Sequence, residues 1–268
     1  MSAHLVEDDL FGPAAPSLGW VPAPRYLLRR DRILRQLERQ PPAAVLEIGP
    51  GAGMLLQELS ARGHACSALE TSVQARELIE LLSDDAGRVI SVHPTAPPGW
   101  SGHFPLVMAF EVLEHIEDDA AALARWADWL APGGTLLISV PAHPRQWNAA
   151  DVWAGHYRRY RKRELVALVA RCGLQLEHIE CIGFPLGNLT ERVQARGIAR
   201  EIERSGDPGR RQDNNDRSGI ERGHVLRWYP AMGSLPGRLA LRTAFALQAA
   251  SGRLPWGNGY LLRATKPR

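Results

Sequence analysis

In RYLLRRDRILRQLERQ (25–40) the apolar residues Leu27, Leu28, Ile33, Leu34 and Leu37 fall at helical spacing, and Pro41–Pro42 ends the run. AAVLEIG (43–49) then reads as a buried strand, and MLLQELSARG (54–63) as a helix closed by Gly63. HACSALE (64–70) and TSVQARELIELLS (71–83) repeat the strand–helix order. RVISV (88–92) and FPLVMAF (104–110) supply a third and a fourth strand. DDAAALARWADWLAPGG (118–134) reads as a helix with a glycine stop, and TLLISVPA (135–142) as a fifth strand. A helix at RKRELVALVARCG (161–173), a sixth strand at LQLEHIECIGF (174–184) and a last one at GNGYLLRATK (257–266) complete the series.

Strands alternating with helices of this length predict an α/β fold, a doubly wound, Rossmann-like sheet of seven strands. The alternation breaks after Phe184. LTERVQARGIAREIE (189–203) and SLPGRLALRTAFALQAASG (234–252) read as helices, so 186–256 is expected to be a helical, lid-like insertion before the last strand. It belongs to a single domain, 25–268. Within it RSGDPGRRQDNNDRSGIERG (204–223) is polar and glycine-rich and is expected to be mobile, above all over 206–219. Residues 1–24, rich in proline, alanine and glycine, are expected to form a loose N-terminal arm.

A chain of 268 residues can bury a large core, and a net charge of +3 with interspersed signs does not call for nucleic acid. No DNA partner is expected, and nothing fixes an oligomeric state. Cys66, Cys172 and Cys181 form no CxxC pair, which argues against a zinc site or a disulfide framework. The first residues are acidic and lack an apolar run, so no signal peptide is read, and no stretch is apolar enough to span a membrane. The expectation is a cytoplasmic protein.

The chemistry concentrates where strands end. VLEIGPGAG (45–53) places Gly49, Gly51 and Gly53 at the first strand-to-helix turn, where glycine lets a ligand approach the backbone. Glu70 closes the second strand, and a carboxylate there can accept hydrogen bonds from both hydroxyls of a ribose. Met54 stands where the dinucleotide fingerprint needs glycine, and no GxxxxGK[ST] loop occurs, so dinucleotides, ATP and GTP are poor candidates. After the fourth strand come Glu111, Glu114 and His115, whose i, i+3, i+4 spacing shares one face if a helix begins there. His115 is either a general base or a structural histidine of that helix start.

The loop PAHPRQWNAADVWAGHYRRYRKREL (141–165) follows the fifth strand at the same edge. Its aromatic residues either pack the loop or line an acceptor pocket. Arg158 and Arg159 are either a solvated helix start or partners for a carboxylate or phosphate. Asp151 and His156 are the residues there expected to touch the chemistry, with His115 as the third catalytic candidate.

VLEIGPGAG, Glu70, FEVLEHI, LAPGGTLLISVP and the trailing strands together resemble class I S-adenosylmethionine-dependent methyltransferases, over roughly 25–184 and 257–267. The resemblance implies that Gly49, Gly51 and Gly53 line the methionine part of the cofactor, with Glu47 near its amino group. It implies that Glu70 holds the ribose hydroxyls while Phe110 and Glu111 sit beside the bound cofactor. One departure is SVHPTAPPG, which has no carboxylate for the adenine amino group and leaves backbone or Thr95.

EVLEH with a later G-H step is similar to ubiquinone-biosynthesis O-methyltransferases and to small-RNA 3′-end 2′-O-methyltransferases. In those, two glutamates and two histidines can bind magnesium, which here means Glu111, Glu114, His115 and His156. A metal-free site is the leading reading and the ion the alternative. The expected activity is methyl transfer to a small-molecule acceptor, oxygen first. The alternatives are RNA 2′-O-methylation, for which the arginines of 192–227 would serve recognition, and a non-catalytic cofactor-binding protein acting through a partner.

Overall fold

The computed structural model describes residues 4–205, 220 and 223–268. Seven strands form one sheet: β3 (Ala44–Ile48), β4 (Ala65–Leu69), β5 (Ile90–His93), β6 (Phe104–Phe110), β7 (Leu130–Pro141), β8 (Gln175–Ile182) and β9 (Gly259–Thr265). Their order is β5-β4-β3-β6-β7-β9-β8. The first five pair in parallel, and β9 slots antiparallel between β7 and β8.

Alternation along each strand divides the core in two, because successive side chains point to opposite faces. Leu46, Val107, Ala109, Leu136 and Ile138 pack with α4 (Asp119–Trp129) and α6 (Lys162–Arg171). Val45, Leu106, Met108 and Leu137 pack on the other face with α1 (Pro24–Leu37), α2 (Met54–Ala61) and α3 (Val73–Asp85). Glu47 is on that second face, in step with Val45.

Residues 4–24 are not a loose arm. β1 (Val6–Asp8) and β2 (Gly12–Ala14) form an antiparallel hairpin whose turn is closed by Asp8 Oδ1, accepting from the N–H groups of Leu10 and Phe11 at 2.8 and 3.0 Å. Phe11, Ala14, Ala15, Trp20 and Val21 are all buried. Gly12 lies over Arg30, and Arg30 is paired with Glu58 of α2 at 2.7 Å. Apolar residues this scattered carry no periodicity, yet Phe11 packs with Leu27 and Leu28 of α1, and Ala15 and Trp20 with Met54 of α2 and Leu82 of α3.

Two further expectations change. Leu130 to Gly134 begin β7 rather than ending a helix. Glu111, Glu114 and His115 do not open an α-helix: Leu113–His115 is one short 3-10 turn, and α4 starts at Asp119. Asp118 is the reason, since its side chain caps α4 by accepting from the Ala121 N–H at 2.9 Å.

Between β8 and β9 the elements among the described residues of the insertion are helices: α7 (Leu186–Ser205), then Gly223–Leu226, Tyr229–Gly233 and Leu235–Ser251. The polar stretch expected to be mobile, 206–219, lies outside the described residues. Leu241, Ala244 and Phe245 join Phe11, Leu27 and Leu28 in a separate apolar cluster, so the insertion and the hairpin meet over α1.

Candidate active site

A cavity of about 850 Å³ opens at the C-terminal edge of β3, β4 and β6, where open α/β sheets hold ligands. One wall is the glycine turn. Gly49 and Gly51 line it, both with φ near +60°, and the Gly51 N–H donates to Glu70 Oε2 at 3.1 Å. Glu70 Oε1 accepts from the Ser72 N–H at 2.9 Å, so both carboxylate oxygens are fixed at the rim. Gly53 is different: it is not among the lining residues, and a Cβ there would stand 2.7 Å from Ile79 Cγ1. Close packing of α2 on α3 explains it.

Glu47 and Phe110 are both buried and both line the cavity. Among the described residues one oxygen of Glu47 has no hydrogen-bond partner. Burial pushes its carboxyl up to about 8, with Arg29 opposing and Glu70 adding to the rise. A buried acid in want of a partner, beside a glycine turn, suits a cationic ligand group. Thr95 is exposed and away from the cavity, where Thr71 and Ser72 line the wall instead.

Glu111 leaves β6 in the left-handed region, φ 57°. Register sets its partners: Phe110 pairs with Ser139 of β7, the Glu111 N–H donates to the Ser139 carbonyl at 3.0 Å, and Ser139 Oγ donates to Glu111 Oε1 at 2.9 Å. Arg25 and Arg29 face the carboxylate at 3.8 and 3.9 Å. Burial opposes ionisation, but Arg29, Arg25 and the Ser139 bond together hold Glu111 below the usual range. Glu114 goes the other way. It is completely buried, and among the described residues neither carboxylate oxygen has a hydrogen-bond partner. Burial, then the charge of Glu111, raises it well above the usual value.

The 141–165 loop closes over this turn. α5 (Ala149–Ala154) carries Asp151 and Trp153, and the Tyr157 N–H donates to the Glu114 carbonyl at 2.8 Å. That bond brings the rings of His115 and His156 to 4.7 Å, edge to face, with His156 Nε2 3.9 Å from Glu114 Oε1. Asp151 does not reach for a ligand with a free oxygen. It accepts from His156 Nδ1 at 2.9 Å, Arg159 Nε at 2.8 Å and the Asn148 N–H at 2.8 Å. Burial would raise it, but the His156 and Arg159 bonds outweigh that and hold it low.

Nor are the arginines open to an acceptor. Arg159 is buried between Asp151 and Glu191, and Arg158 pairs with Asp119 at 2.7 Å. Glu114, His115 and His156 each offer one ligand atom, all within 4.8 Å of one another, and Glu111 is not part of that group. The four-residue ion set therefore contracts to three. Two imidazoles and one carboxylate suit a transition ion better than magnesium, which favours oxygen.

Several lining residues escaped the sequence reading. Trp20, Arg25, Tyr26 and Arg29 come from the chain between β2 and β3, and Leu189, Glu191 and Val193 from α7. The i, i+4 spacing of Arg25 and Arg29 marks one helical face, which is the signal that could have found them.

A mostly parallel sheet with a glycine turn after β3, an acid after β4 and a seventh, antiparallel strand defines the class I methyltransferase fold. Residues 23–179 match the family described as a methyltransferase domain, more than half of this chain, and the chain belongs to that family. A ubiquinone biosynthesis O-methyltransferase of Xanthomonas axonopodis pv. citri is 31% identical over 155 residues, 51% of this chain and 64% of that protein. The chain thus spans less than two thirds of that relative's length.

Among solved structures, the Burkholderia thailandensis 1,6-didemethyltoxoflavin-N1-methyltransferase, with bound 1,6-didemethyltoxoflavin and S-adenosylhomocysteine, aligns with a TM-score of 0.53 at 14% identity. The alignment covers 90% of this chain and 78% of that one. The [4+2]-cyclase SpnF aligns at 0.56 with 13% identity, covering 99% and 86%. Two such different reactions on one fold leave the fold alone as the shared property.

Proposed function

We propose that this chain is an S-adenosylmethionine-dependent methyltransferase whose acceptor is a small molecule with a reacting oxygen. The observation that carries the reading is one continuous cavity joining the Gly49–Gly51–Glu70 wall to the wall bearing Glu111, His115 and His156. The residues fit the cofactor. Glu70 suits the ribose hydroxyls, Gly49 and Gly51 leave room beside the methionine part, and the unpartnered oxygen of Glu47 suits its ammonium. Arg29 lines the same cavity, 3.9 Å from Glu111, and its charge also acts on Glu47; it suits the cofactor's carboxylate.

When bound, S-adenosylmethionine supplies an activated methyl group for in-line displacement. The chain must orient the acceptor, exclude water and take up its proton. α7 and the Trp20–Tyr26 segment close the cavity from above, which supports a lid role for the insertion. His115 or His156 takes the acceptor proton, with Asp151 holding the His156 ring rather than reacting itself.

A second reading has Glu114, His115 and His156 hold a divalent ion that lowers the acceptor's pKa. What favours it is the unpartnered buried carboxyl of Glu114. RNA methylation is less favoured, because a half-enclosed cavity lined by Trp153, Leu189 and Val193 suits a compact acceptor. Methylation of a metabolite extract with isotope-labelled cofactor tests the proposal. Label appearing on a small hydroxyl compound supports it. Label on RNA, or cofactor binding with no acceptor consumed in any extract, would overturn it.

A further inference from the structure

α7 of the insertion buries a carboxylate, an expensive thing for a surface helix to do. Glu191 is 5% exposed, and it is fully engaged. One oxygen accepts from Arg159 Nη2 and, at 2.9 Å, from Asn148 Nδ2, while the other accepts from Asn258 Nδ2 just before β9. Arg159 Nη2 also reaches Asp151 Oδ2 at 2.8 Å, and its Nε donates to Asp151 Oδ1 at 2.8 Å. Asp151 Oδ1 in turn accepts from His156 Nδ1 at 2.9 Å.

Asp151 and Glu191 share the Arg159 guanidinium through its Nη2, and Arg25 adds a second positive charge that acts on Glu191. Without Glu191, Arg159 and Asp151 would neutralise each other, and the bond to His156 Nδ1 would lose much of its charge assistance. With Nδ1 donating, Nε2 is the nitrogen facing Glu114.

We propose that Glu191 is a positioning residue for His156: by sharing Arg159 it leaves Asp151 its negative charge for the imidazole, and because it rides on α7, that charge depends on the helix being docked. Closing the cavity and orienting the histidine are then one event. The proposal rests on the reading of His156 as part of the reaction site, but its test involves no methyl transfer and so fails or stands separately.

Histidine-labelled protein is observed by nitrogen-15 NMR, and the His156 ring signal is identified by its loss in His156→Gln. The expected signal is a proton on Nδ1, downfield and slow to exchange. In Glu191→Gln, which keeps the shape and removes the charge, it moves upfield and exchanges severalfold faster. Asn258→Ala removes a contact to Glu191 without removing charge, and moves the signal less. Should Glu191→Gln fail to fold, Glu191→Asp, which withdraws the oxygen from Arg159 by one methylene and leaves the guanidinium to Asp151, must move the signal upfield as well. An unmoved signal in folded Glu191→Gln or Glu191→Asp overturns the proposal. So does the lack of such a proton in the unmodified protein, or an equal shift in Asn258→Ala, which would reduce Glu191 to a packing contact.

Discussion

The backbone N–H of Gly51 donates to Glu70 Oε2 across 3.1 Å, so the glycine turn after β3 and the acid after β4 form one rigid unit. Gly51 has φ 56°, a region that costs a β-branched residue of order 1–3 kcal/mol. Gly51→Val should therefore lose S-adenosylhomocysteine binding by more than about tenfold, about 1.4 kcal/mol, in calorimetry. Undiminished affinity would remove the turn from the cofactor site.

Glu47 makes a prediction with a definite sign. Its carboxyl is raised from 4.5 to about 8 in the folded protein, so the folded state keeps a proton that the unfolded chain has lost. The stability this gives is complete below the unfolded value and is lost as pH rises through the folded one. Denaturant midpoints of the ligand-free protein should fall between those pH values, and Glu47→Gln should flatten the slope. An ammonium bound beside Glu47 favours ionisation, so cofactor binding near neutral pH should release a proton. Calorimetry in buffers of different ionisation enthalpy should show that release, and Glu47→Gln should abolish it.

His115→Ala and His156→Ala should each cut turnover by roughly a hundredfold or more while leaving cofactor affinity intact, as expected for lost acid–base groups. A chelator separates the two versions of the site. Activity that survives chelation belongs to a histidine acting alone; activity lost in chelator and restored by a divalent ion belongs to the Glu114, His115 and His156 group. Near-normal turnover in both alanine variants would reduce the cluster to a structural contact.

The hairpin can be tested through Gly12. A Cβ at this left-handed position would stand 2.5 Å from Arg30 Nε, against the buried pair that Arg30 makes with Glu58. Gly12→Ala should destabilise by about 1–3 kcal/mol through backbone strain and the displaced guanidinium. Arg30→Met, which leaves Glu58 with Arg62 as its remaining partner, should cost about 1.5–3 kcal/mol. Unchanged denaturation midpoints in both would mean that the hairpin does not dock on α1 and α2.

The sheet was legible because its evidence is local. Apolar runs such as FPLVMAF (104–110), the capped helices between them and a glycine turn closing the first strand each declare themselves within a few residues. Family membership followed from those same short stretches, and so did the cavity wall at Gly49, Gly51 and Glu70 where the cofactor is proposed to bind. The N-terminal hairpin did not declare itself, since Phe11 and Trp20 are apolar without a period and acquire meaning only against α1, α2 and α3. The pattern from Glu111 to His115 misled for a related reason. Spacing of i, i+3, i+4 fits a helix, but the Asp118 cap starts the helix later, and a 3-10 turn with Glu111 at positive φ takes its place.

Tertiary structure alone decided which ionisable groups are free to act. Arg158, Arg159 and Asp151 look available in the sequence and are spent on Asp119, Glu191 and His156. Glu114 looks like any acid after a strand, and complete burial beside Glu111 is what raises its carboxyl. A sequence fixes residue types and their local spacing. Burial, pairing and protonation depend on partners as distant along the chain as Glu191 is from Arg159, and those distances exist only once the chain has folded.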